Sequence, residues 1–97
     1  MRLLEPPGQE QAEGYRWVLH TEADPNLPAR VLGHFTVRNE LPWYFSARRL
    51  SEDSLRIEIR ASRPSEACAR YLAQRLRGIP TVIEAALWAP DGRALSL

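Results

Sequence analysis

Leu55-Arg56-Ile57-Glu58-Ile59-Arg60-Ala61 alternates without a fault: Leu55, Ile57, Ile59 and Ala61 fall on one side, and Arg56, Glu58 and Arg60 on the other. A period of two belongs to a β-strand, whose successive side chains point to opposite faces. Such alternation means that one face packs against an apolar layer while the other meets water or a partner. The covering layer has to come from the rest of a 97-residue chain, a length that suits one domain with one modest core.

On the N-terminal side of this strand, Ser51-Glu52-Asp53-Ser54 reads as a polar four-residue hairpin connection, and Trp43 to Leu50 (WYFSARRL) as the strand it joins. On the C-terminal side, Ser65 is placed to cap a helix, with Glu66 in the first turn, where the helix dipole favours a carboxylate. Ala69, Leu72 and Leu76 recur at helical spacing with Cys68 beside them, Arg75 and Arg77 fill the last turn, and Gly78 with Pro80 stops the helix. Thr81 to Trp88 makes a further strand, and Ala89-Pro90-Asp91-Gly92 turns into a short tail, residues 91–97.

Further upstream, Tyr15 to Ala23 sets Tyr15, Trp17 and Leu19 against Arg16, Val18 and His20, a strand with one face better buried than the other. Asp24-Pro25-Asn26-Leu27-Pro28 then turns into a helix: proline suits its first turn, and Asn26 has the side chain to cap it. Val31, Leu32 and Phe35 form its apolar stripe, Arg30, Thr36 and Arg38 face outward, and Pro42 requires the helix to end by about Glu40. Residues 1–13, broken by Pro6-Pro7-Gly8 and without a sustained period, are expected to be a flexible leader.

The order is therefore β-α-β-β-α-β. Each crossover is right-handed, which puts both helices on the same side of the sheet. The expected architecture is α+β and ferredoxin-like: a four-stranded antiparallel sheet with two helices on one face, leaving Arg56, Glu58 and Arg60 on the open one.

Composition narrows the function classes. With 44% hydrophobic and 26% charged residues the chain is too apolar for general disorder, and a net charge of +1 supplies no field to capture nucleic acid or an anionic membrane non-specifically. No apolar run approaches the ~20 residues of a membrane span, and no signal-peptide pattern opens the sequence, so a cytoplasmic protein is expected. One cysteine, Cys68, excludes an intrachain disulfide, and its place beside an apolar stripe makes it a small core residue. His20 and His34 lack ligands at metal-binding spacing, and no nucleophile elbow, Gly-rich phosphate loop or frame of paired catalytic carboxylates is present. The reading is a non-enzyme with no metal and no cofactor. RNA-recognition modules of this element order stack bases on aromatics of their first and third strands; here the third strand has no aromatic residue and carries Glu58 mid-face, so nucleic acid is not expected as a partner. Trp43-Tyr44-Phe45 must send rings to both faces. If Trp43 and Phe45 turn to the core, Tyr44 faces out, and the reverse exposes two rings. These three, with Arg56 and Arg60 on the open face, are the candidate partner contacts.

The strand ending in Ala23-Asp24-Pro25-Asn26-Leu27, the Ala29-Arg30-Val31-Leu32 helix opening and Leu76-Arg77-Gly78-Ile79-Pro80-Thr81-Val82 together resemble an ACT domain, the small regulatory module of amino-acid metabolism. The resemblance spans Tyr15 to Trp88 and implies an ACT-like domain over residues 14–90. Arg30-Val31-Leu32 taken with Leu55-Arg56-Ile57-Glu58-Ile59 and Ala61-Ser62-Arg63-Pro64-Ser65 looks most like the small regulatory subunit of acetolactate synthase. It implies a homodimer that modulates a larger catalytic subunit, and an amino-acid effector held beside the loop before the first helix, here by Asp24, Asn26 and Leu27. A free-standing amino-acid sensor is the alternative. The family usually has glycine where this chain has Asn26, and Pro28 removes one N–H from that helix start.

Overall fold

The computed structural model describes residues 14–97, so the expected leader over residues 1–13 lies outside the described residues. The elements follow the expected order: β1 (Tyr15–Glu22), α1 (Leu27–Val37), β2 (Tyr44–Ser51), β3 (Ser54–Ala61), α2 (Glu66–Arg77) and β4 (Val82–Trp88). A short strand not expected from the sequence, β5 (Ala94–Leu95), closes the chain. The sheet order is β2-β3-β1-β4-β5, and every neighbouring pair is antiparallel. This is the ferredoxin-like plan with one strand added at an edge. None of the described helices is long and apolar enough to cross a membrane.

The added strand comes from the Asp91-Gly92 turn. Gly92 takes a φ of +91°, which L side chains rarely adopt, and the turn lets the Ala89 N–H reach the Arg93 carbonyl at 2.8 Å. The folded-back chain sets Leu95, buried, opposite Leu87. The hairpin between β2 and β3 is tighter than the sequence suggested. Ser51 pairs with Ser54, their hydroxyls 2.9 Å apart, and only Glu52 and Asp53 turn.

The core lies between the sheet and the two helices. Across the sheet, Phe45, Ile59, Trp17, Leu87 and Leu95 stand in one row facing the helices. From α1 come Leu27, Val31 and Phe35, and from α2 Ala69, Leu72, Ala73 and Leu76, all fully or nearly fully buried. The apolar stripe of α1 thus runs at a spacing of four through Leu27, whereas Leu32, expected in it, is only half-buried. Helix α1 ends with Asn39 in the left-handed region at φ 57°, ahead of Pro42. Helix α2 starts as read, with the Ser65 hydroxyl accepting from the Cys68 N–H at 3.1 Å.

Trp17 joins all three parts. It sits on the central strand with no exposure, its ring meets Phe35 of α1 edge to face at 4.9 Å, and its indole N–H donates to the Ala69 carbonyl of α2 at 3.1 Å. Trp17→Phe is expected to lower folding stability by about 1–3 kcal/mol, since it deletes a buried hydrogen bond and leaves part of the indole volume empty. Urea unfolding followed by circular dichroism measures this.

Candidate functional site

Two regions come from the sequence reading: the loop before α1 and the open face of the sheet. The loop is already occupied by its own chain. The Asn26 N–H donates to the Asp24 carboxylate at 2.9 Å, and the Leu27 N–H to the Asp24 carbonyl at 3.0 Å. Asn26 occupies the cap position but its side chain makes no capping bond, because Asp24 has taken over the turn as an Asx motif. The Leu27 side chain is fully buried in the core, so it offers a ligand nothing but backbone. With Pro28 next, two N–H groups at the helix start are spent and a third is missing. Asp24 also lines a cleft of about 350 Å³ with Glu22, Ala23, Glu52 and Asp53. Four carboxylates around one cleft repel an incoming carboxylate.

The open face is organised differently. Register places Tyr44, Arg60, Arg16 and Trp88 in one row across β2, β3, β1 and β4. The next row is Ser46, Glu58, Val18 and Ala86, and the third is Arg48, Arg56, His20 and Glu84. In the first row two arginines stand side by side between two aromatic rings. The Arg16 guanidinium lies 4.5 Å from the Trp88 ring centre and that of Arg60 5.2 Å from Tyr44 and 5.8 Å from Trp43.

Glu58 holds this array. Although it points away from the helices it is only 6% exposed, because three arginines close over it. Arg60 Nε donates to Oε2 at 2.7 Å, Arg56 Nη1 to Oε1 at 3.0 Å, and Arg16 Nε stands 3.7 Å from Oε2. Burial pushes the carboxyl pKa up, but the hydrogen bonds from Arg60 and Arg56 and the charges of Arg60 and Arg16 outweigh it and hold Glu58 below its ordinary value. One carboxylate against three guanidiniums leaves the cluster net positive. Arg16 Nε, buried, has no hydrogen-bond partner. The surface therefore presents rigid, ring-stacked cations. Its central carboxylate is held ionised between guanidiniums.

Of the candidate partner contacts, Tyr44, Arg56 and Arg60 lie together on the open face, and Trp43, one residue before β2, joins them through Tyr44 (ring centres 6.2 Å apart) and Arg60. Phe45 does not: it faces Ile59 and packs against the core. Glu58, Arg16 and Trp88 were missed as site residues. Arg16 and Glu58 carried an alternation signal, but only the pairing of β1 with both β3 and β4 shows that Arg16 and Trp88 meet.

A family model described as ACT-like domain matches residues 8–92. The chain belongs to the ACT-like domain family. Among solved structures, this ACT-like chain is similar to the C-terminal domain of the MgtC protein from Mycobacterium tuberculosis, determined in solution. The TM-score is 0.60 and the identity 14%, over 84% of this chain and 92% of that one. At that identity the likeness concerns the fold. No curated protein sequence matches the chain.

Glu58→Gln is expected to cost about 1–3 kcal/mol at pH 7, since three partly buried guanidiniums lose their counter-charge. The pH dependence follows from the sign of the shift. A carboxyl whose folded pKa is depressed contributes stability above its unfolded pKa, near 4.3, and that contribution is lost as pH falls through the folded value. Denaturant unfolding between pH 7 and pH 3 should show a steeper acid loss for the natural chain than for Glu58→Gln.

Proposed function

We propose that this ACT-like chain is a non-catalytic regulatory subunit that works by docking the open face of its sheet on a larger enzyme. The observation that carries the reading is the row Tyr44-Arg60-Arg16-Trp88, stacked and fixed by a nearly buried Glu58. Aromatic rings and arginines are the residues that dominate binding energy at protein interfaces, and those held rigid in the free state lose less entropy on docking. Membership of a regulatory-domain family supports the non-catalytic role.

The enzyme we propose is the large subunit of acetolactate synthase, in branched-chain amino-acid biosynthesis. This finer assignment rests on the sequence resemblance in Arg30-Val31-Leu32 and the 55–65 stretch. Homodimerisation belongs to the same proposal. It is supported by β2, an eight-residue strand that among the described residues pairs only with β3 and forms the sheet edge, where a second sheet could add. The self-bonded loop at Asp24 to Leu27 and its acidic surroundings favour control through protein contact over capture of an amino acid there. Regulation then requires that the chain bind one conformation of the enzyme more tightly than another.

Mixing the full chain with an acetolactate synthase large subunit, and reading complex formation by sedimentation together with activity, tests this. Binding weakened about 10- to 100-fold by Trp88→Ala or Tyr44→Ala supports it, equivalent to ~1.4–2.8 kcal/mol. No complex and no change in activity removes the enzyme assignment. A rise in unfolding temperature with a free amino acid, in the absence of any partner, replaces it with the sensor reading.

A further inference from the structure

The helical side of the molecule carries a second concentration of positive charge, unconnected with the sheet. Helices α1 and α2 run antiparallel, as their ends show: Arg38, at the end of α1, stacks 4.6 Å from the Tyr71 ring of α2 and reaches the Cys68 sulfur at 3.8 Å. At the opposite end of the pair, Arg30 and His34 of α1 face Gln74 and Arg75 of α2 across a cleft of about 180 Å³, with Gly78 and the buried Ile79 completing its lining. Arg30 and His34 are one helical turn apart and so share a face of α1.

The charges here are unbalanced. Five of the described arginines pair with carboxylates, Arg16, Arg56 and Arg60 with Glu58, Arg70 with Glu66, and Arg93 with Asp91, and Arg30 and Arg75 belong to the remainder. Among the described residues no carboxylate lies within ion-pair distance of Arg30 or Arg75, and none lines the cleft. Two guanidiniums set around one space repel each other and oppose protonation of the imidazole beside them, and an anion between them relieves both effects. Planar guanidinium forks match the oxygens of a phosphate, and two permanent charges with a third that can be gained by protonation suit a dianion.

We propose that the cleft between α1 and α2 is a phosphate-binding site, in which Arg30 and Arg75 grip the oxyanion and His34 joins as the imidazolium. His34 already senses both arginines: burial lowers its pKa first, and the charges of Arg75 and then Arg30 lower it further. Those are the charged groups that face it from its own helix and from α2. A bound dianion reverses their effect, so phosphate raises the His34 pKa and binds more tightly as pH falls.

The test is a histidine-detected NMR titration of the full chain with inorganic phosphate, against sodium chloride at matched ionic strength and against acetate. His20 lies on the other face of the sheet, across from Glu84, and serves as the internal control. Phosphate should raise the His34 pKa by about one unit, a tenfold preference for the protonated form, and leave His20 unmoved. Acetate should produce a smaller shift at the same residue. Arg30→Gln and Arg75→Gln change exposed side chains, so folding should be retained; together they should raise the His34 pKa without phosphate and abolish the phosphate response. No response at His34, an equal response at both histidines, or a response that survives the double substitution overturns the site.

Discussion

Trp17 decides which side of this molecule is inside. It stands on the central strand, meets Phe35 of α1 edge to face and bonds to the Ala69 carbonyl of α2. Both helices are thereby tied to one face of the sheet. A sheet covered on one side only must make the other side tolerable to water, and β3 shows how: Ile57 and Ile59 go inward while Arg56, Glu58 and Arg60 go outward. The cluster on the open face is a consequence of that single-sided packing.

Glu58 gives the open face its character. An exposed ion pair on a sheet is worth little, because water screens it and two long side chains must be held still. Here the carboxylate is nearly buried, receives hydrogen bonds from two arginines, and has a third alongside. Trp88 and Tyr44 lie against the guanidiniums from the two sides. The guanidiniums are therefore held in place by the chain itself, and they keep donors to spare. The loop before α1 shows the opposite arrangement: its Asn26 and Leu27 N–H groups are consumed internally and its surroundings are acidic. The same chain thus has one surface of fixed, outward-facing guanidiniums and one turn bonded to itself.

Most of the fold was legible in the sequence because two periods were clean. The alternation from Leu55 to Ala61 and the helical spacing of Ala69, Leu72 and Leu76, punctuated by Ser65 and Gly78-Ile79-Pro80, leave few ways to assemble the chain. The fifth strand was not legible: two residues carry no period, and Leu95 counts as core only once Gly92 has turned the chain back against Leu87. Leu27 read as a loop residue because it sits between two prolines, yet it is the first residue of the α1 stripe. For the candidate site, Arg56 and Arg60 followed from alternation, whereas alternation left either Tyr44 or Phe45 free to face out and only the register with Arg60 and Ile59 separates them. The pairing of Arg16 with Trp88 joins positions 72 apart in a 97-residue chain, and local patterns hold no information about it.

The claim at the centre of this account is that Glu58 fixes Arg16, Arg56 and Arg60 as a rigid platform in the unbound chain. Nitrogen-detected NMR of the arginine Nε–H groups reads this directly, since the thirteen basic residues are all arginine and only a few are held. The account predicts a slowly exchanging, well-dispersed Arg60 signal that collapses into the bulk in Glu58→Gln. A single averaged cluster containing all the arginines of the natural chain would contradict it.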